Sequence, residues 1–266
     1  MDLNFFKQTR VLDGGMGQEL LARGMIPKGT LWSANAILDK NYHRLLRETH
    51  RDFVKAGAEV IVTTTFTTRR KRLKENNIED KFEYLNKKAG EIAQEVKKEF
   101  PDILIAGGLP PQGLTYEADE RNEEDITKTF NEQAKLLNPY IDFFYFDVWS
   151  SIKEFKCGIK AIKEFKKPYL IGIHISEGTK LPSGEKVSDI KSILDDQLLG
   201  VMLSCVSPEN YEKNCKELKR LMTEVVNKFL ENTGIDINDD NSTIIDKLES
   251  NLKNNIAELK KIKDLN

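Results

Sequence analysis

Six runs of continuously apolar residues, each ending in a glycine or polar cluster, constrain this chain most. They are "TRVLDGG" (9–15), "EVIVTTTF" (59–66), "ILIAGGLPPQG" (103–113, strand then loop), "DFFYFDVW" (142–149), "YLIGIHIS" (169–176) and "LLGVMLSCVS" (198–207). Runs that are apolar throughout, rather than alternating, suit parallel strands covered on both faces. Helical patterns separate most of them: "QELLARG" closed by Gly24, 41–56 closed by Gly57, 69–76, 79–99, 123–138, 151–165 and the short 185–194. A β-α-β-α order at this length predicts an α/β fold, either a (β/α) barrel or a doubly wound sheet. Both gather chemistry at the carboxyl ends of the strands. Those ends carry Asp13-Gly14-Gly15, Thr63 to Thr65, Gly107-Gly108, Asp147, His174 to Ser176 and Cys205.

After Cys205 the pattern changes. Residues 209–232 carry an apolar stripe of Tyr211, Leu218, Leu221, Met222, Val225 and Phe229. Residues 243–265 carry another, of Ile244, Leu248, Leu252, Ile256, Leu259, Ile262 and Leu265. No seventh or eighth strand pattern follows. The expected organisation is an incomplete barrel of about six strands over 1–208 and a helical tail over 209–266. An open sheet exposes edges and inner side chains, so the tail or a second chain must cover the gap. The 243–265 stripe repeats about every 3.5 residues, which suits a helix pair between subunits and predicts a homodimer.

Composition excludes several function classes. Lys+Arg 41 against Asp+Glu 43 gives a net charge of −2, with no global pull toward nucleic acid or membrane. "RRKRLKE" (69–75) lacks interleaved aromatics and reads as a solvated helix face rather than a nucleic-acid site. The longest apolar runs are strand-sized, far below a bilayer span. The N-terminus has no apolar leader core, and the odd count of three cysteines argues against a disulfide framework. The cytoplasm is the expected compartment. His43 and His50, seven apart on one helix, read as solvent-facing.

Seven stretches, "VLDGGMGQELLARG", "LWSA", "HRDFVKAGAEVIVTTTFTT", "AGGLPPQGLTY", "DFFYFDVWSSIKE", "KPYLIGIHISEGTKLPSGE" and "LSCVSPE", resemble the homocysteine S-methyltransferase family in order and spacing across residues 9 to 211. The resemblance implies a TIM-type barrel in which zinc, held by three cysteines, binds a homocysteine thiol as thiolate. The thiolate attacks the methyl group of a sulfonium-type donor. Carried over residue by residue, Asp13, Gly14 and Gly15 match the substrate-binding turn, and Cys205 matches the first zinc cysteine. Asp147 stands where the family has a glutamate. Thr64 and Ser204 each stand where it has an asparagine. The family's Cys-Cys zinc pair has no counterpart. Cys215 lies ten residues beyond Cys205, and Cys157 lies on the helix after the fourth strand.

The residue expectations follow from this. Cys205 and Asp147 are the catalytic candidates, and Asp13, Gly14, Gly15, Thr64 and His174 the substrate-binding ones. Cys205 is the one matching metal ligand. His174, an imidazole on the fifth strand, offers a substitute that would make a Cys-His-Asp set with Asp147. The bland readings remain beside these: a tight turn for 13–15, a β-rich strand end for the threonines and a small buried residue for Cys205. Two functions stay open. One is methyl transfer to a small thiol such as homocysteine. The other is a non-catalytic or redirected homologue that binds a small amino acid or sulfur compound without zinc. The expected partners are a small thiol and a methyl donor.

Overall fold

The structure is a computed structural model that describes residues 5–6, 10–175, 178–195, 197–216 and 218–219. The chain divides into two compact units, Met1–Lys213 and Asn214–Asn266. The tail expectations, including the subunit helix pair, fall almost entirely outside the described residues.

Five parallel strands form one sheet in sequential order: β1 (Val60–Val62), β2 (Leu104–Leu109), β3 (Phe143–Trp149), β4 (Tyr169–Ile173) and β5 (Leu198–Leu203). Sequential parallel order requires a crossover between neighbours. Helices supply it: α3 (His43–Lys55) leads into β1, α4 (Arg70–Glu75) and α5 (Phe82–Glu99) join β1 to β2, α6 (Glu123–Leu137) joins β2 to β3, and α7 (Ile152–Ile162) joins β3 to β4. Between β4 and β5 the expected helix over 185–194 is a 3-10 segment, Val187–Ile193. Two short helices precede α3, α1 (Met16–Ala22) and α2 (Asn35–Leu38). Among the described residues, no pairing joins β5 to the opposite edge of the sheet.

The first expected strand shrinks to one bridge, Leu12 to Val60. The reason is local. Asp13 N–H donates to Val60 O at 2.9 Å, but the next amide, Val62 N–H, donates to the Asp13 carboxylate at 3.0 Å. A side chain thus takes the place of the next backbone rung, and the chain turns away through Gly14 and Gly15. The last strand ends for a comparable reason. Ser204 N–H still donates to Ile173 O, and then Cys205 adopts φ 53°, which leaves the extended region.

Glycines at helix ends act as the sequence suggested. Gly24 (φ 96°) and Gly57 (φ 109°) occupy left-handed positions that L side chains rarely adopt. After α3, Gly57 N–H donates to Val54 O and Ala58 N–H to Phe53 O, the paired bonds of a Schellman ending. The same pair follows α1, from Gly24 to Leu21 and Met25 to Leu20. At the start of α6 the Asn122 side chain accepts from Asp125 N–H, and three carboxylates fill the first turn.

The two sheet faces are both apolar. On the helix-covered face, Trp149 stacks on Phe146 (centroids 4.2 Å, planes 9° apart), Phe130 (4.3 Å) and Phe155 (5.4 Å). The opposite face carries Val60, Ala106, Phe143, Tyr145 and Leu170, packed against Phe5, Phe6 and Leu12. In β3, strict alternation would put Phe146 and Trp149 on opposite faces. They share a face because β3 carries one extra residue against β4: Phe146 pairs Ile171 and Trp149 pairs Ile173. Val148, a β-branched residue at φ 65°, sits in that bulge.

Two solvent-facing expectations are overturned. His50 is 0% exposed. Its helix packs against β1, so the i−1 and i−4 neighbours Thr49 and Leu46 are buried with it. His43 is half-buried, and its ring Nε2 bonds to Ile37 O at 2.8 Å. The basic run is not all solvated either. Arg69 is 1% exposed, its guanidinium donating to Phe66 O and Thr115 Oγ1.

The aromatic stack depends on Gly158. A Cβ there would lie 1.9 Å from Trp149 Cη2. In an exposed helix Gly→Ala stabilises by about 1 kcal/mol. Here the sign reverses: Gly158→Ala is expected to destabilise by about 1–3 kcal/mol through overpacking. Urea denaturation with Trp149 fluorescence reads it, and a stabilised variant would refute the packing.

Candidate functional site

A cavity of about 370 Å³ opens at the carboxyl ends of the strands. Asp13, Gly14, Gly15, Thr64, Asp147 and Cys205 all line it. The structure therefore brings together six of the seven expected site residues from four separate chain segments. His174, the seventh, is not among the lining residues. Its ring lies beside the cavity, with Nδ1–H donating to Ser204 O at 3.3 Å and Tyr116 packed against it at 4.3 Å between centroids.

Each side chain has an identifiable support. Asp13 holds the Val62 amide, as above, and its other neighbour is buried His50, whose Nδ1 lies 3.7 Å from Asp13 Oδ2. His50 Nε2 is 3.2 Å from Thr64 Oγ1. Thr63 and Thr65 instead serve the strand end: Gly108 N–H donates to Thr63 Oγ1, and Thr65 Oγ1 donates to Gly108 O. The plain structural reading thus holds for those two threonines. Asp147 reaches the cavity by ordinary alternation with Phe143 and Tyr145, and the β3 bulge adds Val148 to the same wall.

Gly14 and Gly17 allow close packing around the turn. A Cβ on Gly14 would lie 2.8 Å from Phe53 Cε1, and one on Gly17 would lie 2.2 Å from Trp32 Cε2. Gly17 thereby lets the Trp32 indole lie against α1 and line the cavity. Gly172 acts similarly beside Tyr145 and Ser204. A Cβ there would strike Ser204 Oγ (2.3 Å) and Tyr145 Oη (2.8 Å), the two atoms of a 2.6 Å hydrogen bond. Six non-glycine residues have positive φ among those described, and four of them line this cavity: Trp32, Tyr116, Val148 and Cys205. Such strain persists only where the surroundings over-determine it, and it clusters at functional sites.

The electrostatics are those of two acids in one apolar-walled space. Burial pushes the Asp147 carboxyl up to about 6; the Tyr145 hydroxyl opposes this, and the charge on Asp13 adds to it. Burial also raises Asp13, and the neighbouring His50 ring opposes the rise. Burial, then Asp147, raise the Cys205 thiol, with the Tyr116 hydroxyl opposing. Tyr116 itself is pushed up to about 12, mainly by burial and by Cys205. His174 is lowered by burial. Cys205 is exposed at the rim yet held as a thiol, the reverse of an activated cysteine.

Sequence reasoning missed Trp32, Tyr116, Tyr145 and His50. Tyr145 was legible in principle: it lies two residues before Asp147, hence on the same strand face. Tyr116 sits in a loop and Trp32 opens a three-residue 3-10 turn, Trp32–Ala34, where no periodicity reports direction.

The zinc set implied by resemblance does not fit these residues. All three histidines and three cysteines of the chain lie among the described residues. Cys157 is buried on α7 with its thiol toward Glu123 O. His174 Nδ1 is committed to Ser204 O. Among the described residues, no three histidine, cysteine, aspartate or glutamate side chains converge to hold a metal. The remaining residues, 220–266, contain neither histidine nor cysteine.

Asp147 gives a pH test. Below pH 4 its carboxyl is protonated in both folded and unfolded chains. Between about 4 and 6 the unfolded chain releases the proton and the folded one retains it, so stability falls as pH rises, and the loss is complete above 6. Asp147→Asn is expected to match the parent at pH 4 and exceed it above pH 7 by about 1–2 kcal/mol, with solvent at the partly exposed carboxyl reducing the full effect. Urea midpoints across that range decide it; a pH-independent difference would refute the shifted carboxyl.

A sequence model described as homocysteine S-methyltransferase matches residues 10–258. The S-methylmethionine–homocysteine S-methyltransferase of Pongo abelii is 29% identical over 166 residues, covering 62% of this chain and 42% of that protein. Homocysteine S-methyltransferase 2 of Saccharomyces cerevisiae is 26% identical over 212 residues, covering 71% of this chain and 64% of that one. The chain therefore spans less than two thirds of these relatives. The metallated homocysteine methyltransferase MmuM of Escherichia coli has a similar fold, with TM-score 0.74, 21% identity and 83% of each chain covered.

Proposed function

Because the chain belongs to the homocysteine S-methyltransferase family, we propose that it transfers a methyl group from a sulfonium-type donor to a small thiol such as homocysteine. The site is the cavity at the strand ends of an incomplete barrel. One observation carries this reading: the turn Asp13-Gly14-Gly15, Asp147 and Cys205, from three segments far apart in sequence, line one cavity sized for a small ligand.

The roles follow from charge and position. Asp13 holds the ammonium group of the amino acid, with the Thr64 hydroxyl beside it. The carboxylate of Asp147 takes the proton of the substrate thiol, a task suited to an acid with a pKa near 6. The thiolate sulfur then forms a bond to the methyl carbon, the donor's own carbon–sulfur bond breaks, and its electron pair leaves with a neutral thioether. The rings of Trp32, Phe66, Tyr116 and Tyr145 line the same cavity, and their faces attract a cationic sulfonium. No step runs through zinc. Base activation is weaker than coordination to a cation, so turnover is expected to be slow.

A second reading, a homologue that binds an amino acid or sulfur compound without turnover, is favoured by one observation. Among the described residues the Cys205 thiol has no metal-forming partners, and burial holds it protonated.

The test is a methylation assay of the metal-stripped protein with homocysteine and S-methylmethionine. Turnover is expected, with Asp13→Asn raising KM about tenfold or more through loss of one charged contact. Homocysteine binding without turnover would establish the second reading, and the absence of both would sink the two together. Metal content of protein purified in zinc is the companion measurement. Less than one zinc per chain is expected, and stoichiometric zinc that restores activity would overturn the metal-free scheme.

A further inference from the structure

We infer that His50 is a positioning residue that sets Asp13 through its Nδ1–H and thereby tunes recognition of the ligand's ammonium group. The inference rests on the reading of Asp13 as the ammonium anchor. His50 is fully buried on α3 and reaches no part of the cavity itself. Both of its ring nitrogens nevertheless face residues that line the cavity: Nε2 lies 3.2 Å from Thr64 Oγ1, and Nδ1 lies 3.7 Å from Asp13 Oδ2. Nδ1 has no hydrogen-bond partner within bonding distance.

A buried polar nitrogen without a partner is costly, so its orientation matters. Two arrangements of the ring are available. If Nε2–H donates to the Thr64 hydroxyl, Nδ1 turns a lone pair toward a carboxylate oxygen, and the two repel. If Thr64 O–H donates to Nε2, Nδ1 carries the proton and its dipole points at the carboxylate. The second arrangement is attractive at both ends. It also orients the Thr64 hydroxyl, whose oxygen remains free to accept from a ligand. At 3.7 Å the Nδ1–H contact is too long for a full hydrogen bond but close enough to act as an electrostatic restraint.

Asp13 Oδ2 already accepts from Val62 N–H. One hydrogen bond and one electrostatic restraint on the same oxygen pin the carboxylate and leave Oδ1 for the ligand. Burial raises the proton affinity of Asp13, and the His50 contact counters that effect. His50 therefore favours the ionised carboxylate, the form that attracts a cation.

Asparagine and glutamine separate this role from simple packing. The Asn amide nitrogen stands where Nδ1 stands, and the Gln amide nitrogen where Nε2 stands. Isothermal titration with homocysteine should find His50→Asn within about threefold of the parent. His50→Gln should be weaker by about tenfold, the scale of one charge-assisted contact. In an Asp13→Asn background the Asn and Gln variants should bind alike, because the effect passes through that carboxylate. Thermal melts of every variant exclude a folding loss. Equal affinities for His50→Asn and His50→Gln, or a difference that persists without Asp13, would overturn the inference. Nitrogen-15 spectra of the histidine ring test it without any ligand. A protonated Nδ1 is expected, and a ring protonated at Nε2 alone would overturn it. If the parent does not bind homocysteine, the functional reading fails while the ring measurement still decides the position of the proton.

Discussion

One extra residue in β3 decides which face the end of that strand meets, beside the site. Between Phe146 and Trp149 the strand gains a residue on its neighbour β4, with Val148 in the left-handed region. Strands alternate sides every residue, so an insertion reverses everything after it. Trp149 is returned to the helix-covered face, where it stacks on three aromatic rings and α7 opens a glycine to receive it. Asp147 and Val148 are both left at the cavity wall. The aromatic stack anchors the bulge, and the bulge returns Trp149 to the helices while the carboxylate of Asp147 stays on the face of Tyr145.

The remaining wall is organised around buried acids. Asp13 supplies the next acceptor after the last backbone rung of the first segment, so its carboxylate is structural and available at once. Asp147 rises in pKa chiefly because burial disfavours its charge, and the charge of Asp13 adds to the rise. Two ionised carboxylates in one cavity repel, and a cationic ligand relieves both. The same field holds Cys205 as a thiol. The electrostatics favour binding an ammonium or sulfonium group more strongly than they favour a reactive protein thiolate.

Much of this was legible in the chain. The apolar runs located β2 to β5 to within a few residues, because a strand buried on both faces has no polar positions to blur it. Gly24 and Gly57 marked helix ends, since few other residues take that backbone shape. Strand-end polar residues named six of the lining residues, because parallel sheets place all such ends on one side. The single bridge at Leu12 was not legible, because it depends on a side chain competing with a backbone rung. His50 was misread, since a lone histidine on an amphipathic helix gives no sign of which flank meets the sheet. Arg69 was hidden within a basic run that is otherwise exposed.

The order of elements and the ends of the strands were determined by the sequence alone, since they follow from residue type and periodicity. Only the tertiary structure decided which face each side chain meets. The bulge at Val148, the placing of His50 behind Asp13 and the Tyr145–Ser204 bond over Gly172 all arise from contacts between segments more than ten residues apart. Local propensity carries no information about such contacts, because their energies exist only once the distant partner is in place.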